Sequence, residues 1–337
     1  MDAKLMAEII KERPLAFEFS LADPLAATDD ILISYGLPTR PDEDSQPLYY
    51  SQWKRLITQR LKFIPSKTGI VDQGVSSCAD SQQPKPTFTK STADGKSETW
   101  SGAVTQRDSE NSIRHVGATW IVPQLYPPAD QNANSFDFGL WVGVDNHTHG
   151  DDTLLQAGTV HTCKVDSEGR IEKEFFAFYN LYGDHFTRVD GFPVNPGDTV
   201  SVFLNLLHVP KLGANYLELS GTTWAWIIYV NESVGSYTIR CIKLSSNETE
   251  QKAFKADSAE WILDNKNLQF KLAAFGSAVM FNCFAVTEEG GEVTIANSEL
   301  ISMVRDGVCV SRASRIGDQA VGLSYGGIQR KGGNISD

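Results

Sequence analysis

Two textures divide the chain. In residues 1–65 apolar positions recur at helical spacing. Leu5, Met6, Ile9 and Ile10 predict one helix, which Pro14 stops, and Trp53, Leu56, Ile57 and Leu61 predict a second. Between them Tyr35-Gly36-Leu37-Pro38-Thr39-Arg40-Pro41-Asp42 reads as an irregular connection set by its prolines. Residues 66–95 are rich in Ser, Thr, Lys, Gln, Asp and Pro and hold few large apolar groups, which predicts a linker or a surface strap open to cleavage.

From Trp100 the period changes from helical to alternating. Short β-branched and aromatic runs are separated by Gly, Pro, Asn and Asp. Strands are predicted at 116–122, 138–144, 174–182, 199–207, 224–230, 237–244, 270–275 and 278–284. In the fourth, Val200, Val202, Leu204 and Leu206 fall on one face, and Ser201 and Asn205 on the other. Many short strands at regular spacing predict an all-β sandwich or barrel, and no repeat of propeller or solenoid length is visible. The expected organisation is an N-terminal, partly helical extension (1–65), a linker (66–95), a β-domain (96–325) and a C-terminal tail (326–337).

Composition narrows the partners. The chain has 337 residues, 41% hydrophobic and 21% charged, which suits a globular protein with a sizeable core. Lys plus Arg is 30 and Asp plus Glu is 42, a net charge of −12, and no basic run appears. Neither nucleic acid nor an anionic membrane is an expected partner. No apolar run is long enough for a membrane helix. The first eleven residues lack the apolar stretch of a secretory signal, so an intracellular, cytoplasmic location is expected. Five widely spaced cysteines, odd in number and without a CxxC, agree with that expectation.

Common catalytic motifs are missing. There is no GxSxG, HExxH or GxxxxGK[ST]. The loop Asp145-Asn146-His147-Thr148-His149-Gly150-Asp151-Asp152 holds metal-binding side chains. Two His at i, i+2 on a loop need a third fixed ligand, so a polar turn is the expected reading and no metal or cofactor is expected. His115, His161, His185 and His208 are scattered and read as surface or core residues. Glu172 with Glu174, or Glu260 with Asp264, could form the carboxylate pair of a glycosidase, but in so acidic a chain such pairs arise by chance.

Three segments together are more specific. They are Trp141-Val142-Gly143-Val144-Asp145 followed by Leu154-Leu155-Gln156-Ala157-Gly158; the aromatic run Phe175 to Tyr182 followed by Pro196-Gly197-Asp198; and Ser258-Ala259-Glu260-Trp261-Ile262-Leu263-Asp264. With Trp100-Ser101-Gly102-Ala103-Val104, Gly117 to Pro123 and Tyr126-Pro127-Pro128, this order resembles the glutamic peptidases, or eqolisins, most strongly over residues 97–325. The resemblance implies a lectin-like (concanavalin A-like) antiparallel β-sandwich with a cleft on its concave face. It implies a mechanism in which a Glu takes a proton from the attacking water and a Gln amide donates to the oxyanion. Such a donor is worth about 2.7–4 kcal/mol.

Carried over, the Gln is Gln156. The catalytic Glu becomes Asp264, one methylene shorter, and a misplacement of about 1 Å can cost ~100-fold. Glu260 matches the family's non-catalytic Glu. The remaining expected substrate contacts are Trp141, Asp145, Phe176, Phe178, Asn180 and Tyr182. Here Phe176 replaces an Asp of the family pattern, Phe178 a Trp and Asn180 a Glu, which makes the cleft more apolar. Three readings follow. The first is a peptidase using Gln156 and Asp264. The second is an intracellular enzyme, a hydrolase or cyclase of secondary metabolism, acting on a small apolar molecule. The third is a lectin-like binding protein using Trp141, Tyr179, Tyr182, Trp224, Trp226 and Trp261.

Overall fold

A computed structural model describes residues 23–34, 37–65, 67–70, 95–107, 111–128, 134–145, 154–181, 185–209, 222–244, 255–265 and 271–326. The predicted helix around residues 5–10, most of the 66–95 segment, the His-containing loop, Tyr182 and the C-terminal tail lie outside them.

The strands join into one hydrogen-bonded sheet that folds over into two layers. The first layer runs Ser236–Leu244, Thr222–Asn231, Thr199–Val209, Ile113–Ile121, Ser277–Thr287. The second runs Glu299–Arg305, Trp100–Gln106, Ser258–Asp264, Ser135–Val144, Leu155–Val165, Ile171–Leu181, His185–Asp190. The hairpin of Val308–Gly317 and Ala320–Tyr325 joins the layers along one side. This is the expected all-β sandwich. Strand alternation builds its interior. Val200, Val202, Leu204, Leu206, Ala225, Ile227 and Tyr229 of the first layer meet Ala259, Trp261, Leu263, Leu155 and Ala177 of the second.

Three interior hydrogen bonds tie the layers together. Trp261 Nε1–H donates to the Gly117 carbonyl at 3.0 Å, Trp120 Nε1–H to Thr159 Oγ1 at 3.0 Å, and the Tyr229 hydroxyl to the Phe178 carbonyl at 2.6 Å. His161 is fully buried here against Phe138 and Phe175, and burial pushes it down to about 3, so it is a neutral core histidine.

The N-terminal region packs on the outer face of the first layer. Pro47 opens the helix Pro47–Thr58, which buries Tyr49, Trp53, Leu56 and Ile57. These side chains cover Phe203, Ile228, Val230, Tyr237 and Phe284, the outward residues of the first-layer strands. Leu61 is buried but not helical: the chain turns extended at Gln59 and Lys62–Phe63 adds to the first layer. The Phe270–Phe275 run also differs from expectation. Only Lys271–Leu272 forms a ladder, followed by a single bridge from Ala274 to Tyr126. Thus the described part of the extension lies on the far side of the sandwich from the second layer's outer face.

Trp53 is the anchor of that docking, 1% exposed, with its Nε1–H donating to the Pro38 carbonyl at 2.9 Å. Trp53→Ala is expected to cost about 3–5 kcal/mol. Denaturant unfolding measures it, and an intact midpoint would show that the extension adds nothing to the fold.

Candidate active site

The outer face of the second layer gathers the residues singled out from sequence. Register sets their places. Across the strands, Glu260 pairs with Gly143, Gly143 with Gln156, and Gln156 with Asn180, so these four make one row. Ile262, Trp141, Gly158 and Phe178 make the next. Asp264, Gly139, Val160 and Phe176 make the third. Asp145 ends its strand beside Ser258, one step beyond the first row.

Trp141 is the centre of this pattern. Gly139 and Gly143 lie two residues to either side of it, on the same face. A Cβ on Gly143 would stand 2.6 Å from Cζ3 of Trp141 and 2.9 Å from Oε2 of Glu260; a Cβ on Gly139 would stand 3.6 Å from Cδ1 of Trp141. The indole therefore lies lengthwise over its own strand, in space that side chains would otherwise fill. Trp100 meets it edge-on, with ring centroids 5.2 Å apart.

Gln156 lies diagonal to Trp141 on one side and Asp264 diagonal to it on the other. Diagonal neighbours in a sheet are about 7–8 Å apart, within reach of long side chains. Between the two the backbone steps two strands across and four residues along. The register thus brings Gln156 side by side with Asn180 and, over Gly143, with Glu260. It sets Gln156 and Asp264 at opposite ends of the Trp141 ring.

The face is buried and acidic. Glu260 is 0% exposed, Gln156 2%, Asn180 3% and Asp264 7%. Neither oxygen of Glu260 has a hydrogen-bond partner, nor do Oε1 of Gln156, Oδ1 of Asn180 or Nε1 of Trp141. Burial pushes the Glu260 carboxyl well above the usual range, and the charges of Asp145 and Asp257 push it further. The Ser258 hydroxyl is the main influence in the other direction, though it closes no normal hydrogen bond. Asp145 adopts φ 78°, accepts from the Lys255 amide at 2.9 Å and donates its own amide to the Ser258 carbonyl at 3.2 Å. Asp145 is therefore held by the backbone at the end of the row.

Sequence reading missed one member of the face. Asp137 has the strand parity of Trp141 and lies diagonal to Asp264. Burial pushes it up to about 7; the amide of Asn265, which donates to its Oδ1, pulls it down, Asp264 pushes it up and Arg305 pulls it down. Arg305 donates from Nε to the Glu98 carbonyl at 2.8 Å and from its fork to the Asn265 carbonyl at 3.2 Å. Parity along Ser135–Val144 was the available signal for Asp137. Arg305 comes from 40 residues beyond Asn265 and left no signal at all.

The aromatic strand lines the far side. Phe178 stacks on Phe186 at 4.3 Å, and the Arg188 guanidinium sits 4.4 Å from the Phe176 ring centre. Tyr182 lies outside the described residues. The aromatic set of the binding-protein reading does not converge. Trp261 and Tyr179 point inward, because they alternate with Glu260 and Asn180, while Trp226 belongs to the outer face of the first layer. Glu172 and Glu174 are exposed at the strand's start, and Glu174 pairs with Arg188.

The described Peptidase A4 family matches residues 98–325, more than half of the chain. The chain belongs to the peptidase A4 family. A crystal structure of scytalido-glutamic peptidase with a transition state analog inhibitor is similar at 19% identity and a TM-score of 0.50, covering 68% of this chain and 98% of that one. A structure of SCP-B, a member of the eqolisin family, with the tripeptide Ala-Ile-His is similar at 17% identity and a TM-score of 0.45, over 68% and 98%. No curated protein matches the chain. The likeness to the first structure is one of fold, and with the family match it makes this a glutamic-peptidase-like domain. Among the described residues no helix is long and apolar enough to cross a membrane.

The raised Glu260 has a consequence for stability. The folded chain keeps this proton above the pH at which the unfolded chain, near the ordinary 4.5, has lost it. Stability from this group therefore falls as pH rises above 4.5, until the folded carboxyl also ionises. Glu260→Gln removes the dependence. The variant is expected to melt above the wild type near neutral pH, with the gap closing toward acid. Thermal unfolding at a series of pH values measures this, and parallel curves would contradict it.

Proposed function

We propose that this member of the A4 family hydrolyses peptide bonds, with Asp264 as the base and Gln156 as the oxyanion donor. One observation carries the reading: both side chains are buried on one face, at the two diagonals of Trp141. A peptide laid over the indole would present its carbonyl between them. Asp264 takes a proton from water as the water oxygen bonds to the carbonyl carbon. The carbonyl oxygen gains the negative charge, and the Gln156 NH2 donates to it. Collapse breaks the C–N bond, and the proton on Asp264 passes to the leaving amine.

The chemistry fits the residue types. The usual Asp and Glu values, about 3.9 and 4.3, are close, so either can serve as base, and reach rather than basicity separates them. Arg305 and Asp137 stand beside Asp264 and shape its charge. The Phe176–Phe178–Phe186 wall, with Phe176 where the family pattern has an Asp, favours an apolar side chain next to the cut bond. The same wall also favours a second reading, in which the substrate is a small apolar molecule carrying a hydrolysable carbonyl.

Mass spectrometry of a denatured protein incubated with the full chain, from acid to neutral pH, tests the proposal. Cleavage is expected, and Gln156→Ala is expected to lower kcat about 100- to 1,000-fold. Asp264→Asn should abolish it. Asp264→Glu restores the missing methylene and is expected to raise kcat, by up to ~100-fold if reach is the limit. Absence of cleavage by the folded wild type at every pH would retire the peptide reading in favour of small apolar carbonyl substrates.

A further inference from the structure

Glu260 has no role in that mechanism, yet it is the most deeply buried carboxyl of the face. It reaches over Gly143, the one residue between it and Gln156 in their row. Its Oε2 hangs so close above Gly143 that a Cβ there would be 2.9 Å away. Gln156 starts one strand further, about 5 Å across, a gap its own side chain can close. Along this row stand buried acceptors: Oε1 and Oε2 of Glu260, Oε1 of Gln156 and, next in the row, Oδ1 of Asn180. None has a donor. Buried acceptors without donors are costly, and one proton on Glu260 relieves two of them at once.

We propose that Glu260 is a positioning residue for Gln156: its carboxyl keeps its proton, donates it in a hydrogen bond to Oε1 of Gln156, and so turns the amide NH2 toward the substrate. This rests on the reading of Gln156 as the oxyanion donor. An amide has two ends, and only one is useful to an oxyanion. A donor fixed on Oε1 selects that end before substrate arrives, which is preorganisation. A neutral buried carboxylic acid is suited to the task, since it offers an O–H where a carboxylate offers only acceptors.

The surroundings hold the proton in place. Asp145, at the end of the adjoining strand, and Asp257, just before the Glu260 strand, are the described charges acting on Glu260, and both oppose a second negative charge. From Trp100–Gln106 it faces Val104, from its own strand Ile262 and Ser258, and from the far side Trp141, Leu154 and the neutral amides of Gln156 and Asn180. Burial acts in the same direction and most strongly, and the Ser258 hydroxyl acts against it.

The test is an NMR titration of the full chain, following the Glu260 carboxyl carbon and the Gln156 side-chain amide from acid to alkaline pH. The expected result is a single midpoint shared by both signals, above that of an ordinary glutamate. Glu260→Gln should abolish the Gln156 transition. A Gln156 amide that ignores the titration, or a Glu260 that titrates like a surface glutamate, overturns the proposal. Kinetics give a second arm. The wild-type kcat should fall on the alkaline side at the same midpoint. Glu260→Gln, which still offers an N–H, should hold its kcat there, and Glu260→Ala should lose about 100-fold in kcat with KM little changed. If Glu260→Ala does not fold, Glu260→Gln decides alone. A shared midpoint without any peptide cleavage upholds the positioning role and sinks the peptidase reading; cleavage with an indifferent Gln156 does the reverse.

Discussion

Every residue of the Ser258–Asp264 strand is buried, and the site depends on how its two faces are assigned. Trp261 points inward and donates to the Gly117 carbonyl of the other layer. That bond locks the strand's rotation and register. With Trp261, Ala259 and Leu263 in the interior, Glu260, Ile262 and Asp264 must face the other way, onto the candidate site. A slip of one residue would bury two carboxylates in the sandwich core and expose a tryptophan. The candidate face is thus held by an apolar anchor on its back, and the charges on its front need contribute nothing to holding it.

The same division explains how the site tolerates so many orphaned polar atoms. Inside the sandwich, Trp120, Trp261 and Tyr229 find partners across the layers. On the outer face of the second layer Glu260, Gln156, Asn180 and Trp141 all keep polar atoms without partners. Unsatisfied buried groups destabilise a fold, and they persist where chemistry uses them. One glycine makes room for this arrangement. Gly143 lets the Trp141 indole lie flat along its strand and also admits the Glu260 carboxyl.

The N-terminal extension follows a separate logic. The first layer is apolar on both sides, since Phe203, Ile228 and Val230 point outward. A sheet with two apolar faces needs cover on each. The helix Pro47–Thr58 supplies it with the stripe of Tyr49, Trp53, Leu56 and Ile57. The described extension therefore belongs to the architecture of the sandwich and stands away from the site.

Alternation and composition alone carried the all-β class, the helix around Trp53 and about half of the strands from Ile113 onward, because a half-buried strand must alternate and an amphipathic helix must keep its stripe; strands such as Leu155–Val165 and Val308–Gly317 were not picked out by pattern. The three segments around Trp141, Gln156 and Asp264 were legible as a family pattern for the same local reason: each lies within one strand. What joins strands was not legible. That Gln156 shares a row with Glu260 and a diagonal with Asp264 is set by register between strands about a hundred residues apart in sequence, and register is decided by packing against the opposite layer. Asp137 and Arg305 became neighbours of Asp264 only through that packing. The inward turn of Trp261 and Tyr179, which removes them from any binding surface, was decided there too. Sequence determined which side chains each strand carries; tertiary structure decided which of them meet, because the energy that aligns the strands comes from burial between the layers and not from the residues of the site.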